Sequence, residues 1–346
     1  MRGAVLHAAG DVRCEQRPDP VIIEPTDAIV RAAATCVCGS DLWPYRGIDQ
    51  VPRARAIGHE FCGIVEQIGD TVTVIQPGQF VIGGFLASDN TCPNCHAGMH
   101  SSCLQGVGYD GCQSELIRVP LADGTLVATP ELPPKDLVPS LLTLSDVMAT
   151  GWHAAVSAGV KPGMTVAVVG DGAVGLCGVL AAAQLGAEQV IAMSRHTPRQ
   201  QLASEFGATD IVVERGEEGI ARIKELTEGI GADAVLECVG TGDSVIQALR
   251  STRPWWDGRL GRRSAWSGTS DARPVLAECG RTRRACTGTA LSARPDGSGL
   301  EPHDRPRQGV RPRPASGTGR RSLPGHGRAP RHQGVVAPVN RRTSPA

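Results

Sequence analysis

Apolar positions in residues 1–130 come in short, β-branched runs separated by Gly and Pro, at 28–34, 63–69, 79–84 and 115–120. Each run has the length of a strand, so the pattern predicts an irregular all-β unit. Residues 137–160 read as helical. From Thr165 the periodicity changes. Runs at 165–170, 189–194, 210–214 and 233–240 read as buried strands, and 173–187, 199–208 and 220–229 between them read as helices. Strands alternating with helices at this spacing predict a parallel sheet covered by helices. One more helix is predicted near Ser244–Arg250, and there the pattern stops.

Composition changes at the same place. Of the 346 residues, those from 255 onward include 18 Arg and no Lys, Phe, Tyr, Ile or Met, so they are poor in the apolar residues of a core. The overall charge of zero is the sum of −12 before Pro254 and +12 after it, so the average describes neither part. An Arg-rich stretch binds phosphate non-specifically. With no Lys and no RGG repeat, however, a nucleic-acid partner is not predicted. The N-terminal residues lack a sustained apolar core, so no secretory signal is read there. The longest apolar stretch, 166–187, contains Asp171 and several Gly, which argues against a membrane span. Most of the twelve Cys are scattered, as in reduced cytoplasmic proteins, and four donors cluster instead in a metal-like pattern.

Three constellations carry chemistry. Gly170-Asp171-Gly172-Ala173-Val174-Gly175 is GxGxxG between an apolar strand and a helix, the context of a dinucleotide fingerprint. Its glycines admit a pyrophosphate, and the helix N-terminus stabilises the charge. The next strand closes on Ser194-Arg195-His196 where an NAD site usually offers an acid. A hydroxyl and a guanidinium suit a 2′-phosphate, so NADP is expected in preference to NAD. Asp89, Cys92, Cys95 and Cys103 have the local spacing of a structural zinc loop, with Asp89 in place of a fourth Cys. The alternative is a loop that keeps this shape without metal. Cys38, His59 and Asp146 have no spacing rule, but three such ligands and one open position would form a catalytic zinc site.

Residues 38–41, 58–60, the Cys-rich loop, 150–155 and 170–175 follow one another as in the zinc-dependent medium-chain alcohol dehydrogenases, which the chain resembles over residues 1–254. The resemblance implies a GroES-like β-rich catalytic domain at 1–150 and a Rossmann domain, doubly wound and incomplete, at 151–254. It implies that Cys38, His59 and Asp146 bind the catalytic zinc, with Glu60 able to approach it. It further implies that Asp41 orients a ligand His, Ser40 starts a proton relay and Thr150 lies at the cofactor. An Asp as third ligand is similar to the NADP-dependent secondary alcohol dehydrogenase branch and the formaldehyde dehydrogenase-like branch, and the reading of Ser194-Arg195 agrees with the former. Trp43 stands where many members have a relay His, so protons must leave by water or another group. The implied reaction is hydride exchange between a small alcohol, aldehyde or ketone and the nicotinamide. A polyol or formaldehyde-type dehydrogenase using NAD, and an inactive zinc-binding remnant, are the alternatives. The family's homo-oligomer contact segment would lie beyond Pro254.

The tail at 255–346 is expected to be largely disordered and the product of a shifted reading frame. Codons chosen for residues 255–269 and read one base later spell GGTVGWVGVAHGVEL, a continuation fit for the next strand and turn of a dehydrogenase cofactor domain. Segments at 305–313 and 322–334 can be read in the same shifted frame and in order. One extra base after Pro254 would remove the later strands, leave an open parallel-sheet edge and impair the enzyme.

Overall fold

The computed structural model describes residues 1–254 and the backbone of Ser264–Trp266. The expected character of the rest of the tail lies outside the described residues.

The β-rich part begins with β1 (Arg2–Ala8), β2 (Asp11–Gln16) and β3 (Ala28–Cys36), followed by β4 (Arg55–Ala56), β5 (Glu60–Ile68) and β6 (Phe80–Gly83). It continues with β7 (Leu86–Ala87), β8 (Val107–Gly108), β9 (Leu116–Val119) and β10 (Leu126–Ala128). The main antiparallel sheet has the order β10-β6-β5-β3-β9, and a smaller one β2-β1-β4. Alternate residues of β3, β5 and β9 turn inward, so Val30, Phe61, Val65, Ile117 and Val119 meet in one buried cluster. The four runs expected as strands are the four long strands of this sheet.

From β11 (Thr165–Val169) the chain alternates strand and helix through β12 (Gln189–Met193), β13 (Asp210–Val212) and β14 (Ala234–Glu237). The sheet order β13-β12-β11-β14-β15, with β15 at Ser264–Trp266, reverses direction of travel between β11 and β14. Helices Ala173–Gln184 and Gly216–Leu226 supply Val179 and Ile223 to two separate clusters, the first with Val168 and the second with Val169. Neighbouring strand residues thus belong to different clusters, as two covered faces require.

Residues 137–160 are helical as expected but in two pieces: helix Val138–Leu142 and a 3-10 turn end at Asp146, and helix Val147–Ser157 starts anew. Asp146 has φ −146° and ψ −71°, outside helical geometry. As the N-cap of the second helix, Asp146 accepts its first backbone bond from Thr150 N–H at 2.7 Å, while its carboxylate accepts the Thr150 hydroxyl. Among the described residues the open parallel-sheet edge lies at β15 rather than at β14. β15 pairs with β14 in parallel, Val235 to Ser264 and Glu237 to Trp266, supplying the backbone partners that an edge strand lacks. Helix Val147–Ser157, which contains the expected domain boundary at 150, packs on Ala173–Gln184 at Gly151. A Cβ there would lie 2.7 Å from Gly178 N, so only a glycine allows the approach.

Candidate metal centres and cofactor site

Three elements converge on the first centre. The turn after β3 presents Cys38, the start of β5 presents His59 and Glu60, and the helix break presents Asp146. One donor atom from each of the four lies within 4.8 Å of every other. Cys38, Glu60 and Asp146 are buried. His59 Nε2 is 3.3 Å from Asp146 Oδ2, and Cys38 Sγ is 3.5 Å from the same oxygen. With ordinary zinc–ligand lengths, a tetrahedral site has N–O edges of about 3.3 Å and S–O edges of about 3.5 Å. Glu60 Oε1 is buried with no hydrogen-bond partner, an unsatisfied anionic oxygen that a cation would satisfy. The residues therefore fit a zinc ion.

The electrostatics agree. Burial opposes a charged His59 ring, yet hydrogen bonds to Asp146 and Cys38 outweigh it and push its pKa up to about 11. Burial likewise opposes the Asp146 carboxylate, but His59 and Thr150 hold it below its ordinary value. Burial first, and the Asp146 charge second, raise Glu60. This is a donor set that draws positive charge to its centre.

The surroundings differ in part from the sequence reading. Asp41 Oδ1 is 3.9 Å from His59 Nδ1, beyond hydrogen-bond reach. Its Oδ2 instead accepts Cys38 N–H at 3.0 Å and Gln113 Nε2–H at 3.3 Å, so it fixes the Cys38 turn. Thr150 donates its hydroxyl to Asp146 Oδ1 at 2.5 Å, which makes it a support of that carboxylate. Ser40 is half-buried in the 3-10 turn Gly39–Asp41 beside Cys38. Phe85, absent from the sequence reading, meets the His59 ring edge to face at 6.3 Å. No motif marks Gln113 or Phe85, because each arrives from a distant strand or loop.

The second cluster sits on the loop around the short helix Pro93–His96, with Asp89, Cys92, Cys95 and Cys103 donors again within 4.8 Å of one another. Cys92 Sγ and Cys103 Sγ are 3.9 Å apart, and Cys103 Sγ is 3.3 Å from Asp89 Oδ1. A tetrahedral zinc site would have edges of about 3.8 Å and about 3.5 Å there. Leu104 N–H and Asp89 N–H point at Cys92 Sγ and Cys103 Sγ, as they do toward thiolates. Asp89 Oδ1 accepts Thr91 N–H and Cys92 N–H, and these bonds hold the carboxyl far below its ordinary value. The loop thus keeps its shape through Asp89 and also offers four donors.

The fingerprint leaves β11 for helix Ala173–Gln184 beside the strand-order reversal, where open α/β sheets bind ligands. Gly170 has φ +115°, and a Cβ at Gly175 would lie 2.1 Å from Gly170 O. Gly172, by contrast, faces open space, with nothing within 4 Å of a Cβ. The helix start carries no side-chain cap, so its N–H groups remain for an anion. Ala173 and Val174 form that first turn. Ser194 is fully buried and donates to Asp171 Oδ2 at 2.8 Å, while Arg199 pairs with Asp171 at 3.2 Å. Arg195 is exposed beside them. The hydroxyl expected to face a phosphate is therefore engaged with Asp171, leaving the guanidinium at the surface.

A GroES-like barrel joined to a parallel cofactor-binding sheet, with donors for two metals, defines an oxidoreductase architecture. Residues 24–131 match the family model of the alcohol dehydrogenase GroES-like domain, and residues 173–294 that of the zinc-binding dehydrogenases, which reaches past Pro254. Zinc-type alcohol dehydrogenase B of Aspergillus flavus is 36% identical over 267 residues, which is 74% of this chain and 62% of that protein. This chain therefore matches less than two thirds of that relative's length. Alcohol dehydrogenase TADH from Thermus sp. ATN1 superposes with a TM-score of 0.68 at 30% identity, over 79% of each chain. A zinc-binding dehydrogenase from Sinorhizobium meliloti 1021, solved bound to NADP, gives 0.58 at 29% identity over 73% of each chain. The chain belongs to the zinc-dependent medium-chain alcohol dehydrogenase family.

Proposed function

We propose that this chain is built to exchange a hydride between a small alcohol, or the matching aldehyde or ketone, and NADP. The observation that carries the reading is the buried Cys38–His59–Glu60–Asp146 set with tetrahedral edge lengths. Cys38, His59 and Asp146 would hold zinc, which when bound acts as a Lewis acid on the substrate oxygen and lowers the alcohol pKa. The nicotinamide, when bound, supplies the hydride acceptor. Thr150 orients Asp146, and Asp41 with Gln113 fixes the turn that carries Cys38. Ser40, next to Cys38 but one, takes the alcohol proton toward solvent, and Phe85 and Trp43 give the substrate apolar walls. Asp89, Cys92, Cys95 and Cys103 hold a structural zinc.

Arg195 at the end of β12 supports NADP, and the S. meliloti relative is bound to NADP. Against it stands the Asp171 carboxylate nearby, which favours the NAD-dependent alternative. All described cysteines are free thiols, consistent with the cytoplasm, and no described helix is long and apolar enough to cross a membrane. Residues 255–346 are proposed to arise from one extra base after Pro254, which lowers activity and removes the subunit contact. The share of the chain aligned with the A. flavus relative is close to that of residues 1–254. An inactive zinc-binding remnant is the extreme case.

The test is to express this chain and the version lacking the extra base side by side, count zinc, and follow NADP and NAD reduction with small alcohols. Zinc-dependent NADP reduction by the restored version and a much weaker rate from this chain are expected. A preference for NAD in both supports the alternative cofactor. Equal rates from both overturn the impairment, and a locus that encodes this tail without an insertion relative to close relatives overturns the frame shift.

A further inference from the structure

The ends of β12 and β13 gather three guanidinium groups around the fingerprint. Arg199 is paired with Asp171. Arg195 is exposed at the end of β12. Arg215 follows β13 and was invisible to motif reasoning, since nothing in its neighbourhood of sequence marks it. It is half-buried, donates from Nη1 to Glu214 O at 3.0 Å and from Nη2 to Met193 O at 3.2 Å. Both acceptors are backbone carbonyls. They hold the guanidinium across the end of β12 without neutralising it.

Asp171 and Glu214 are already engaged. Asp171 accepts from Ser194 and Arg199, and Glu214 turns Oε2 onto Val213 N–H at 3.1 Å. Burial and the positive charge of Arg195 both lower the Arg215 pKa, with Asp171 acting in the opposite direction. Arg215 is also the N-cap residue of helix Gly216–Leu226, whose first N–H, that of Gly216, is taken by Gln247 Oε1 at 3.3 Å. Two like charges close together at a helix start cost free energy in the empty site and favour an anion between them.

We propose that Arg215 is a specificity-determining residue of the cofactor site, closing with Arg195 on the 2′-phosphate of the dinucleotide. The proposal rests on the reading of this site as NADP-binding. Guanidinium forks match phosphate oxygens in pairs, so two of them at one phosphate discriminate strongly against a bare hydroxyl. Asp171 is then a brace for Ser194 and Arg199 rather than the acid that receives a ribose hydroxyl in an NAD site.

The full chain can be titrated calorimetrically with 2′,5′-ADP and with 5′-AMP, fragments too short to need the nicotinamide pocket. The wild type is expected to prefer 2′,5′-ADP. Arg215→Ala should weaken 2′,5′-ADP roughly ten- to hundredfold, the loss of one charge-assisted contact, and leave 5′-AMP unchanged. Arg215→Lys should recover part of the loss. An unchanged 2′,5′-ADP affinity in Arg215→Ala overturns the proposal while the NADP reading stands. Equal wild-type binding of both fragments overturns the NADP reading itself. Loss of both fragments together in Arg215→Ala also overturns the proposal, because it makes Arg215 a support of the fold.

Discussion

The two metal-like clusters use similar donors but are assembled in opposite ways. The Asp89–Cys103 set comes from one loop, is partly exposed, and is shaped by bonds between near neighbours. The Cys38–His59–Glu60–Asp146 set joins residues up to 108 positions apart and is almost closed to solvent. The local set pays little loop-closure entropy and can form whenever the loop does. The distant set exists only when β3, β5 and the helix break are all in place. Its integrity therefore reports on the whole catalytic unit, whereas the loop reports mostly on itself.

The largest expected effect is from His59→Ala. Zinc-dependent alcohol oxidation should fall about a thousandfold or more, the loss of several kcal/mol of charge stabilisation. Metal analysis should find one zinc lost and the loop zinc kept. Loss of both would erase the contrast between the clusters. Next is a glycine pair in the cofactor half. Gly175→Ala drives a Cβ into Gly170 O and should cost about 1–3 kcal/mol, read as a fall in melting temperature. Gly172→Ala points into open space and should leave the melting temperature almost unchanged while weakening dinucleotide binding. Equal destabilisation by both would show that Gly172 faces protein rather than ligand.

A smaller effect is expected at the loop. Asp89→Ala should lower zinc affinity there at least about tenfold, and Asp89→Cys should raise it, measured by competition with a chromophoric chelator. Neither should alter the zinc at His59. With the unsubstituted chain, a chelator should strip the half-exposed loop before activity declines.

The smallest is a pH effect at Asp123, a metal-free counterpart of Asp89. Its carboxylate accepts Thr73 N–H, Val74 N–H and the Thr73 hydroxyl at 2.8 to 2.9 Å. Burial opposes its charge, but these bonds more than compensate and hold the carboxyl below its ordinary value. A depressed folded pKa stabilises above the unfolded value of about 3.9 and is lost as pH falls through the folded pKa. Asp123→Asn should therefore flatten the acid limb of the melting-temperature profile. An unchanged limb would show that other carboxylates dominate it.

Local periodicity made the alternating strands and helices from Thr165 legible, and the glycine spacing marked the fingerprint. It read 137–160 as helical but gave no sign of the break at Asp146, whose backbone leaves helical geometry. It gave no sign that β15 takes the place beside β14, because parallel pairing joins residues remote in sequence, and β15 lies beyond the change in composition. In the site, Asp41 lies beside His59 but makes its hydrogen bonds elsewhere. Its hydrogen bonds to Cys38 and Gln113 depend on angles set by the surrounding strands. Gln113, Phe85 and Arg215 carried no local signal.

What the sequence determined by itself is what short-range spacing encodes: the class of each half, the glycine turn and the Asp89–Cys103 loop, whose members are neighbours before folding begins. The resemblance brought Cys38, His59, Glu60 and Asp146 together as an expectation; the tertiary structure decided that their donors lie within 4.8 Å of one another, that Ser194 serves Asp171, and that Arg215 stands by Arg195. Those contacts are made by side chains from separate elements, so they exist only after burial of the two hydrophobic cores has paired distant strands and fixed the helix ends.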